Sequence, residues 1–494
     1  MNTVQRILKN TAALTFSSIA NTVIGFFFIV MVARYLGAGG FGVISTALGF
    51  IMIFRVLTDI GLTTLTIREV ARDKSLSGKY LSNAAVIKLV LAGVTFGLVA
   101  LVVNLIGYPQ ETVIVVYLIA VSVLLDEFSL LFYGIFQAHE RMEFVTIGQV
   151  TAHALRLIGA VVVINQGFDI IVFGYLYIFA SLTVFLFNSF VAFWKYRGFG
   201  LGIDPGFWRH LLKNSWPFGL LIVFGTIIYW IDTVMLSVMK GDEVVGWYNA
   251  SYRVILFLLF VPTAYFYAVF PVMSRFFVSS REALRFTYEK SVKYMSILAL
   301  PIAIGTTLVA GKTILLIFGD GYTESIIALQ VLVWSVLFIF ISSIIAQVFS
   351  AQNRPKVVAA VTGLCAAANI ILNIILIPRY SYVGAGVATV ITEFLALLLL
   401  FVWSLKANFG FNPAKVFLLS LKIIVSSAVM GIAVFYLDSI DLWWQVIIGA
   451  SVYFGVLLLL RGLDRDDFRL MLQVIKRKQS GTSEDSEITD ILTG

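Results

Sequence analysis

Charge is what this chain has least of. Only 13% of its 494 residues are Asp, Glu, Lys or Arg, against about 25% in soluble domains. Hydrophobic residues make up 60%, and the mean hydropathy is +0.97. One soluble core cannot bury that much apolar surface, so the composition excludes a soluble protein and specifies a membrane protein. Cysteine is nearly absent. Cys365 stands alone, which excludes an internal disulfide and reads most simply as a small buried apolar residue. Histidine is scarce too, and His139, His153 and His210 lack the spacing of metal ligands. The first apolar run carries no small-residue cleavage site, and its length reads as a retained helix rather than a secretory leader.

Apolar runs long enough to cross about 30 Å of hydrocarbon cover 10–33, 41–62, 83–106, 112–137, 144–164, 170–194, 214–239, 244–270, 291–310, 322–349, 357–377, 383–404, 417–437 and 443–460. These predict fourteen transmembrane spans. With the N-terminus placed inside, the outer segments hold only Arg34, Lys240, Lys312 and Arg379. Most of the other basic residues fall on the inner side, including Arg68, Arg72, Lys74 and Lys79 after span 2 and Arg281, Arg285, Lys290 and Lys293 before span 9. The positive-inside rule therefore predicts a multi-pass protein of the plasma (cytoplasmic) membrane with both termini cytoplasmic. The net charge of +8 is then a topology signal and a contact with anionic membrane lipids, with no nucleic acid implied.

The sequence repeats itself. Aligned without gaps at an offset of 204, Lys9 and Asn10 of "ILKNTAALT" fall on Lys213 and Asn214 of "LLKNSWPFG". The same offset places Gly37 on Gly241 and Gly42 on Gly246. At an offset of 213, "FQAHER" at 136–141 falls on "FSAQNR" at 349–354. Six crossings return the chain to its starting side, so spans 1–6 and 7–12 form two copies of like orientation. The expected fold class is an all-α membrane protein with two six-helix lobes plus two C-terminal helices. The expected domains are an N-terminal lobe over 1–194, a cytoplasmic linker over 195–213, a C-terminal lobe over 214–404, two further helices over 405–460, and a cytoplasmic basic segment with a disordered tail over 461–494. Transporters built of such repeats place substrate where the repeats meet.

Ionisable side chains deep in a bilayer face a cavity or a partner. Here they are Arg55 and Asp59 on span 2, Lys88 on span 3, Asp126 and Glu127 on span 4, Arg156 on span 5, Asp232 on span 7, Arg253 on span 8 and Glu393 on span 12. Lys88 lies near its span's inner end, where a long side chain snorkels. Arg55 and Asp59 are spaced i, i+4 and suit either mutual neutralisation or a cavity. Asp126, Glu127 and Arg156 share a depth, which suits an ion pair. Asp232 has two readings. At about 10 Å depth it faces a salt bridge with Arg253 at about 13 Å. At a similar depth span 11 carries Asn369 and Asn373 on one face, and span 12 carries Thr389 with Glu393 a turn deeper. Carboxylate, amide and hydroxyl oxygens are hard ligands, so Asp232, Asn373 and Thr389 form a candidate site for Na⁺ or H⁺.

The stretches "DIGLTTLTIREVAR" at 59–72, "IDTVMLSVMKGDEVVGWYNASYR" at 231–253 leading to Pro262 and "FPVMS", "FGDGYTES" at 318–325 and "FSAQNRPK" at 349–356 carry a family resemblance. In that order and spacing they resemble the polysaccharide transporter branch of the multidrug/oligosaccharidyl-lipid/polysaccharide superfamily, typified by O-antigen flippases. The resemblance covers nearly the whole chain. It implies two six-helix lobes around a central cavity and alternating access that carries polyprenyl- or dolichyl-pyrophosphate-linked oligosaccharide from the cytoplasmic to the outer leaflet. It also implies a cavity lined with arginine, for which Arg55, Arg156 and Arg253 are the candidates, because guanidinium binds phosphate bidentately. The carboxylates among the buried charges depart from a purely cationic lumen. The partners expected are lipid-linked oligosaccharide, membrane lipids and glycan-assembly enzymes, with a monomeric chain, no organic cofactor and Na⁺ or H⁺ as coupling ion. A multidrug or peptidoglycan-precursor transporter is the alternative within the superfamily. A polytopic glycan polymerase or glycosyltransferase is the alternative from another class; such enzymes present a catalytic acid or base in a sizeable loop, and every outer loop here is short. The expectation is therefore a transporter and not an enzyme.

Overall fold

The computed structural model describes residues 3–196, 202–352, 354–407, 409, 413–464 and 467. These residues form helices, turns and short connections, with no strand among them. Within lipid an α-helix satisfies every backbone N–H and C=O inside one segment, which is why the apolar runs take this form. The α-helices are α1 (Thr3–Phe54), α2 (Val56–Asp59), α3 (Leu62–Arg72), α4 (Ser77–Ile106), α5 (Gln110–Ala138), α6 (Met142–Asn165), α7 (Ile170–Lys195), α8 (Pro205–Lys240), α9 (Asp242–Leu258), α10 (Phe260–Ser279), α11 (Arg281–Phe318), α12 (Ser325–Ala351), α13 (Pro355–Lys406), α14 (Pro413–Tyr436) and α15 (Leu442–Leu459). Among the described residues, twelve helical runs are long and apolar enough to cross a bilayer. Two of them divide, α1 at Gly37 (φ 69°, ψ −179°) and α13 at Ser381 (φ 53°, ψ −136°). The chain is thus an all-α, multi-pass membrane protein of fourteen membrane helices, as the hydropathy predicts.

Span 2 is less simple than the run 41–62. It stays helical through Arg55 (φ −57°, ψ −25°) and the one-turn α2, and breaks at Ile60 (φ 43°) and Gly61 (φ 81°) before α3. Glycine enters the left-handed region freely, whereas a β-branched isoleucine there costs of order 1–3 kcal/mol. The Ile60 backbone is met by α8, where a Cβ on Gly219 would lie 3.0 Å from the Ile60 carbonyl carbon. The segment expected as a linker over 195–213 is helical from Pro205 onward. Asp204 caps α8 by accepting from Phe207 N at 3.3 Å, and proline at the first position lacks an N–H where none is needed. Lys79 pairs with Asp204 at 3.0 Å, which fixes this start on α4. The tail expected beyond 461 lies outside the described residues, apart from 461–464 and Asp467.

The chain packs as two compact units, each assembled from separate stretches. The first contains Met1–Phe257, Ile314–Ala328 and Thr362–Ala388; the second contains Leu258–Thr313, Leu329–Val361 and Thr389–Gly494. In the first unit, Phe28, Phe50, Ile119, Phe173 and Tyr177 share one core, and Leu62, Leu65, Tyr80, Leu131 and Phe136 share another. The repeat is visible there in the backbone. Gly37 and Gly241 (φ 88°, ψ 173°) adopt the same conformation at equivalent positions. A Cβ on Gly42 would lie 1.7 Å from the Asp242 carbonyl oxygen, and one on Gly246 would lie 1.9 Å from that of Ala38. The offset of 204 that relates Gly42 to Gly246 also relates Ala38 to Asp242, so the two turns cross reciprocally. Glycine is required at both crossings because backbone meets backbone.

In the second unit, α14 and α15 pack on α11 through Ile297, Met430, Val434, Tyr453 and Leu457. The Tyr453 hydroxyl donates to the Ile297 carbonyl at 2.6 Å. Asp467, beyond α15, accepts from Lys290 at 2.5 Å and Lys293 at 2.6 Å. Burial raises the Asp467 carboxyl, but the hydrogen bonds from Lys290 and Lys293 outweigh it and hold the group at about 2.

Candidate functional site

Asp126 and Glu127 are neighbours on α5, and successive residues on a helix point about 100° apart. They accordingly serve different partners. Asp126 Oδ2 lies 3.1 Å from Arg156 Nη2 on α6. The same nitrogen donates to Ser181 Oγ on α7 at 3.1 Å, and Ser181 exchanges a hydrogen bond with Ser122 at 2.9 Å. The guanidinium carbon sits 5.0 Å from the centroid of the Tyr177 ring, an arrangement that adds cation–π attraction. The ion pair predicted from shared depth is present. Arg156 Nε, however, is buried without a hydrogen-bond partner.

Glu127 faces the other way. Its Oε1 lies 3.0 Å from Arg55 Nε and its Oε2 lies 3.2 Å from Lys88 Nζ. Lys88 also reaches Asp59 Oδ1 at 2.6 Å, Thr63 Oγ1 at 3.1 Å and the Glu127 carbonyl at 3.0 Å. Its side chain is 0% exposed, so it does not snorkel. The cause is helix length: α4 begins at Ser77 rather than 83, which sets Lys88 deeper than the hydropathy run implies. The i, i+4 neutralisation of Arg55 by Asp59 is replaced by a four-membered network in which each cation takes its nearest contact from another helix.

Arg253, on α9, joins the same unit. Its Nε is likewise buried without a hydrogen-bond partner. Each repeat thus contributes one guanidinium with an unmet Nε to the first unit. An aromatic run leads away from them, with ring centroids 5.1 Å apart for Trp230 and Tyr229, 5.5 Å for Tyr229 and Tyr252, and 5.9 Å for Tyr252 and Tyr248.

Tyr248 ends that run on Asp232, its hydroxyl donating to Oδ2 at 2.6 Å. Asn373 Nδ2 donates to Asp232 Oδ1 at 2.6 Å and to Asn369 Oδ1 at 2.9 Å. Asp232, Asn369 and Asn373 are all buried. Asn373 Oδ1 is buried with no hydrogen-bond partner, and an orphaned carbonyl-type oxygen beside a carboxylate suits a hard cation. The group therefore fits an alkali ion, with Asp232 and Asn373 supplying oxygens. Among the described residues no group of three His, Cys, Asp or Glu side chains forms a transition-metal cluster. Thr389, the third residue expected here, belongs to the second unit with Glu393. The sequence reading missed the roles of Tyr177 and Tyr248. Their signal was spacing: Tyr248 and Tyr252 lie one turn apart on α9, the helix that carries Arg253.

These features invite comparison with known proteins. The family described as "Polysaccharide biosynthesis protein" matches residues 7–277, and the MatE family matches 217–375. An uncharacterized membrane protein of Methanocaldococcus jannaschii, MJ1068, is 25% identical over 51% of this chain, and the match spans about half (51%) of that protein's length. The probable low-salt glycan biosynthesis flippase Agl15 of Haloferax volcanii is 22% identical over 78% of this chain and 81% of its own. Among solved structures, the lipid II flippase MurJ in an inward closed conformation superposes with a TM-score of 0.76 at 19% identity, covering 91% of this chain and 99% of that one. At that identity the likeness speaks to the fold alone. The family match extends over more than half of the chain, through both turns that cross at Gly42 and Gly246, and the chain belongs to the polysaccharide biosynthesis protein family of membrane transporters.

Proposed function

We propose that the protein is a flippase that moves polyprenyl- or dolichyl-pyrophosphate-linked oligosaccharide from the cytoplasmic to the outer leaflet by alternating access. The observation that carries this reading is that Arg156 and Arg253, one in each repeat, both have a buried Nε lacking a partner. Leaving a buried donor unmade costs about 1–3 kcal/mol. Phosphate oxygens supply the missing acceptors, and two guanidinium groups match the two phosphoryl units of a pyrophosphate. Arg55, partly exposed at its side chain, is the third candidate. The protein acts as a monomer in the cytoplasmic membrane with both termini inside, and it is a transporter rather than an enzyme.

The coupling ion in this proposal is Na⁺ or H⁺, held by Asp232 and Asn373. The orphaned Asn373 oxygen supports it. Flipping of lipid-linked oligosaccharide into the outer leaflet of proteoliposomes tests both parts. Replacement of Arg156 or Arg253 by Lys keeps the charge and loses the planar fork, so transport is expected to rank wild type, Lys, then Ala. The Ala step is expected to cost about tenfold to a hundredfold, the equivalent of one charged hydrogen bond. Full transport by both Ala variants rejects the substrate role. Uptake of a cationic drug in place of the lipid-linked glycan identifies the multidrug alternative, and preference for a peptidoglycan precursor identifies the other.

A further inference from the structure

Three features of the first unit meet at one place: the break in span 2 at Ile60 and Gly61, the buried ammonium of Lys88, and the half-exposed guanidinium of Arg55. The four-residue α2 lies between Arg55 and Asp59. Glu127 holds the Arg55 end at 3.0 Å and Lys88 holds the Asp59 end at 2.6 Å. Lys88 and Glu127 then close the ring between them at 3.2 Å. Both ends of α2 are thereby tied to a single buried pair. Thr63, the second residue of α3, adds its N–H at 3.1 Å and its hydroxyl at 2.7 Å to Asp59, so the ring also spans the break at Ile60 and Gly61.

The ring contacts Arg55 on one edge only. Glu127 takes Nε, and Nη1 meets Met52 Sδ at 3.2 Å, a weak acceptor. Arg55 is 35% exposed at its side chain, against 2% for Glu127 and 0% for Lys88. With Nε taken by Glu127, the edge formed by Nη1 and Nη2 is the one left to engage a phosphate bidentately. A long guanidinium side chain has many rotamers, and the ring removes that freedom before the anion arrives.

We propose that Glu127 and Lys88 are positioning residues for Arg55, presenting the terminal edge of its guanidinium to a phosphate-bearing substrate. The proposal rests on the pyrophosphate reading given above and goes beyond it, because neither residue touches substrate itself. Lys88 acts through Glu127, and Asp59 acts through Lys88. The ring carries two cations and two anions, so it adds geometry without adding net charge.

Calorimetric titration of inorganic pyrophosphate into the full-length protein in lipid nanodiscs tests this. Neutralising Glu127 alone raises the local positive charge, so two charge-conserving changes are used instead. Glu127→Asp keeps the carboxylate and withdraws it from Arg55. Lys88→Met combined with Glu127→Gln removes one charge of each sign. Each is expected to weaken pyrophosphate binding about tenfold, the worth of one orienting hydrogen bond. In an Arg55→Gln background neither is expected to weaken it further, because the effect passes through Arg55. A loss of the same size in both backgrounds marks a merely structural role and overturns the proposal. Unchanged affinity in both charge-conserving variants overturns it as well. If wild type binds pyrophosphate and Arg55→Gln binds it equally, the proposal fails while the functional reading stands. If wild type does not bind pyrophosphate, the functional reading fails and takes this inference with it.

Discussion

The two repeats solve the same physical problem differently. In the N-terminal repeat, buried and partly buried carboxylates meet cations: Asp59 and Glu127 meet Lys88, Glu127 meets Arg55, and Asp126 meets Arg156. In the C-terminal repeat, the carboxylate of Asp232 meets a hydroxyl and an amide. Ion pairs inside a low-dielectric interior hold each other in place and resist the loss of either member. Hydrogen bonds from neutral groups stabilise a carboxylate while leaving its charge to act on its surroundings. The first arrangement suits a scaffold that aims fixed charges at an anion. The second suits a site whose occupancy by a cation changes during a cycle.

That contrast is open to direct test, and the largest effect is expected at its most buried member. Lys88→Met leaves two carboxylates against one guanidinium, so a loss of about 3–5 kcal/mol is expected, read as a large drop in melting temperature in detergent. The drop is expected to shrink when Glu127→Gln is added. If the pair melts no higher than Lys88→Met alone, charge balance is not what the ring supplies. Next in size is Asp232→Asn, an isosteric change expected to leave the protein folded and to abolish ion-dependent flipping. Adding Arg253→Gln separates the two readings of Asp232: recovered transport with unchanged ion dependence removes Asp232 from coupling. A smaller effect is expected from Tyr248→Phe, which removes one donor from Asp232 at a cost of about 1 kcal/mol. It is expected to shift half-saturation by ion about fivefold while leaving pyrophosphate affinity alone.

The smallest effect concerns the second unit. Asp467 is held at about 2 by Lys290 and Lys293, below the ordinary value of about 4. A depressed carboxyl contributes stability that is present above about pH 4 and lost as pH falls through about 2. Melting is therefore expected to be flat from neutral pH to about 5 in this respect, with Asp467→Asn narrowing the wild-type loss only at lower pH. A difference between the two proteins confined to alkaline pH contradicts the assignment.

Much of this architecture was legible in the residues, for identifiable reasons. Lipid leaves a helix as the main way to satisfy the backbone, so hydropathy runs translate directly into spans. Equal depth sufficed to pair Asp126 with Arg156, and the i, i+4 amides of "NIILNIILIP" led to Asn373 beside Asp232. Lys88 was misread because hydropathy marks where a helix enters lipid and not where the helix begins, and α4 starts at Ser77. The fate of Arg55 and Asp59 was hidden by the break at Ile60 and Gly61. Gly61 hints at such a turn, but an isoleucine in the left-handed region runs against its own preference and leaves no local signal. The aromatic run from Trp230 to Tyr248 needed the pairing of α8 with α9, since rings on separate helices have no common period along the chain.

The crossing at Gly42 and Gly246 bears on the genetics of this protein. Most close approaches in the first unit end on a side chain: a Cβ on Gly159 would meet Leu176 Cδ1, which a smaller residue at 176 relieves. At Gly42 and Gly246 the opposing atoms are carbonyl oxygens of Asp242 and Ala38, which no substitution removes. A selection for second-site suppressors should therefore rescue Gly159 variants through Leu176 and return only true revertants at Gly42 and Gly246. Together with Gly384, whose Cβ would lie 2.4 Å from the Leu376 carbonyl oxygen, they are among the described positions where this protein has no alternative spelling.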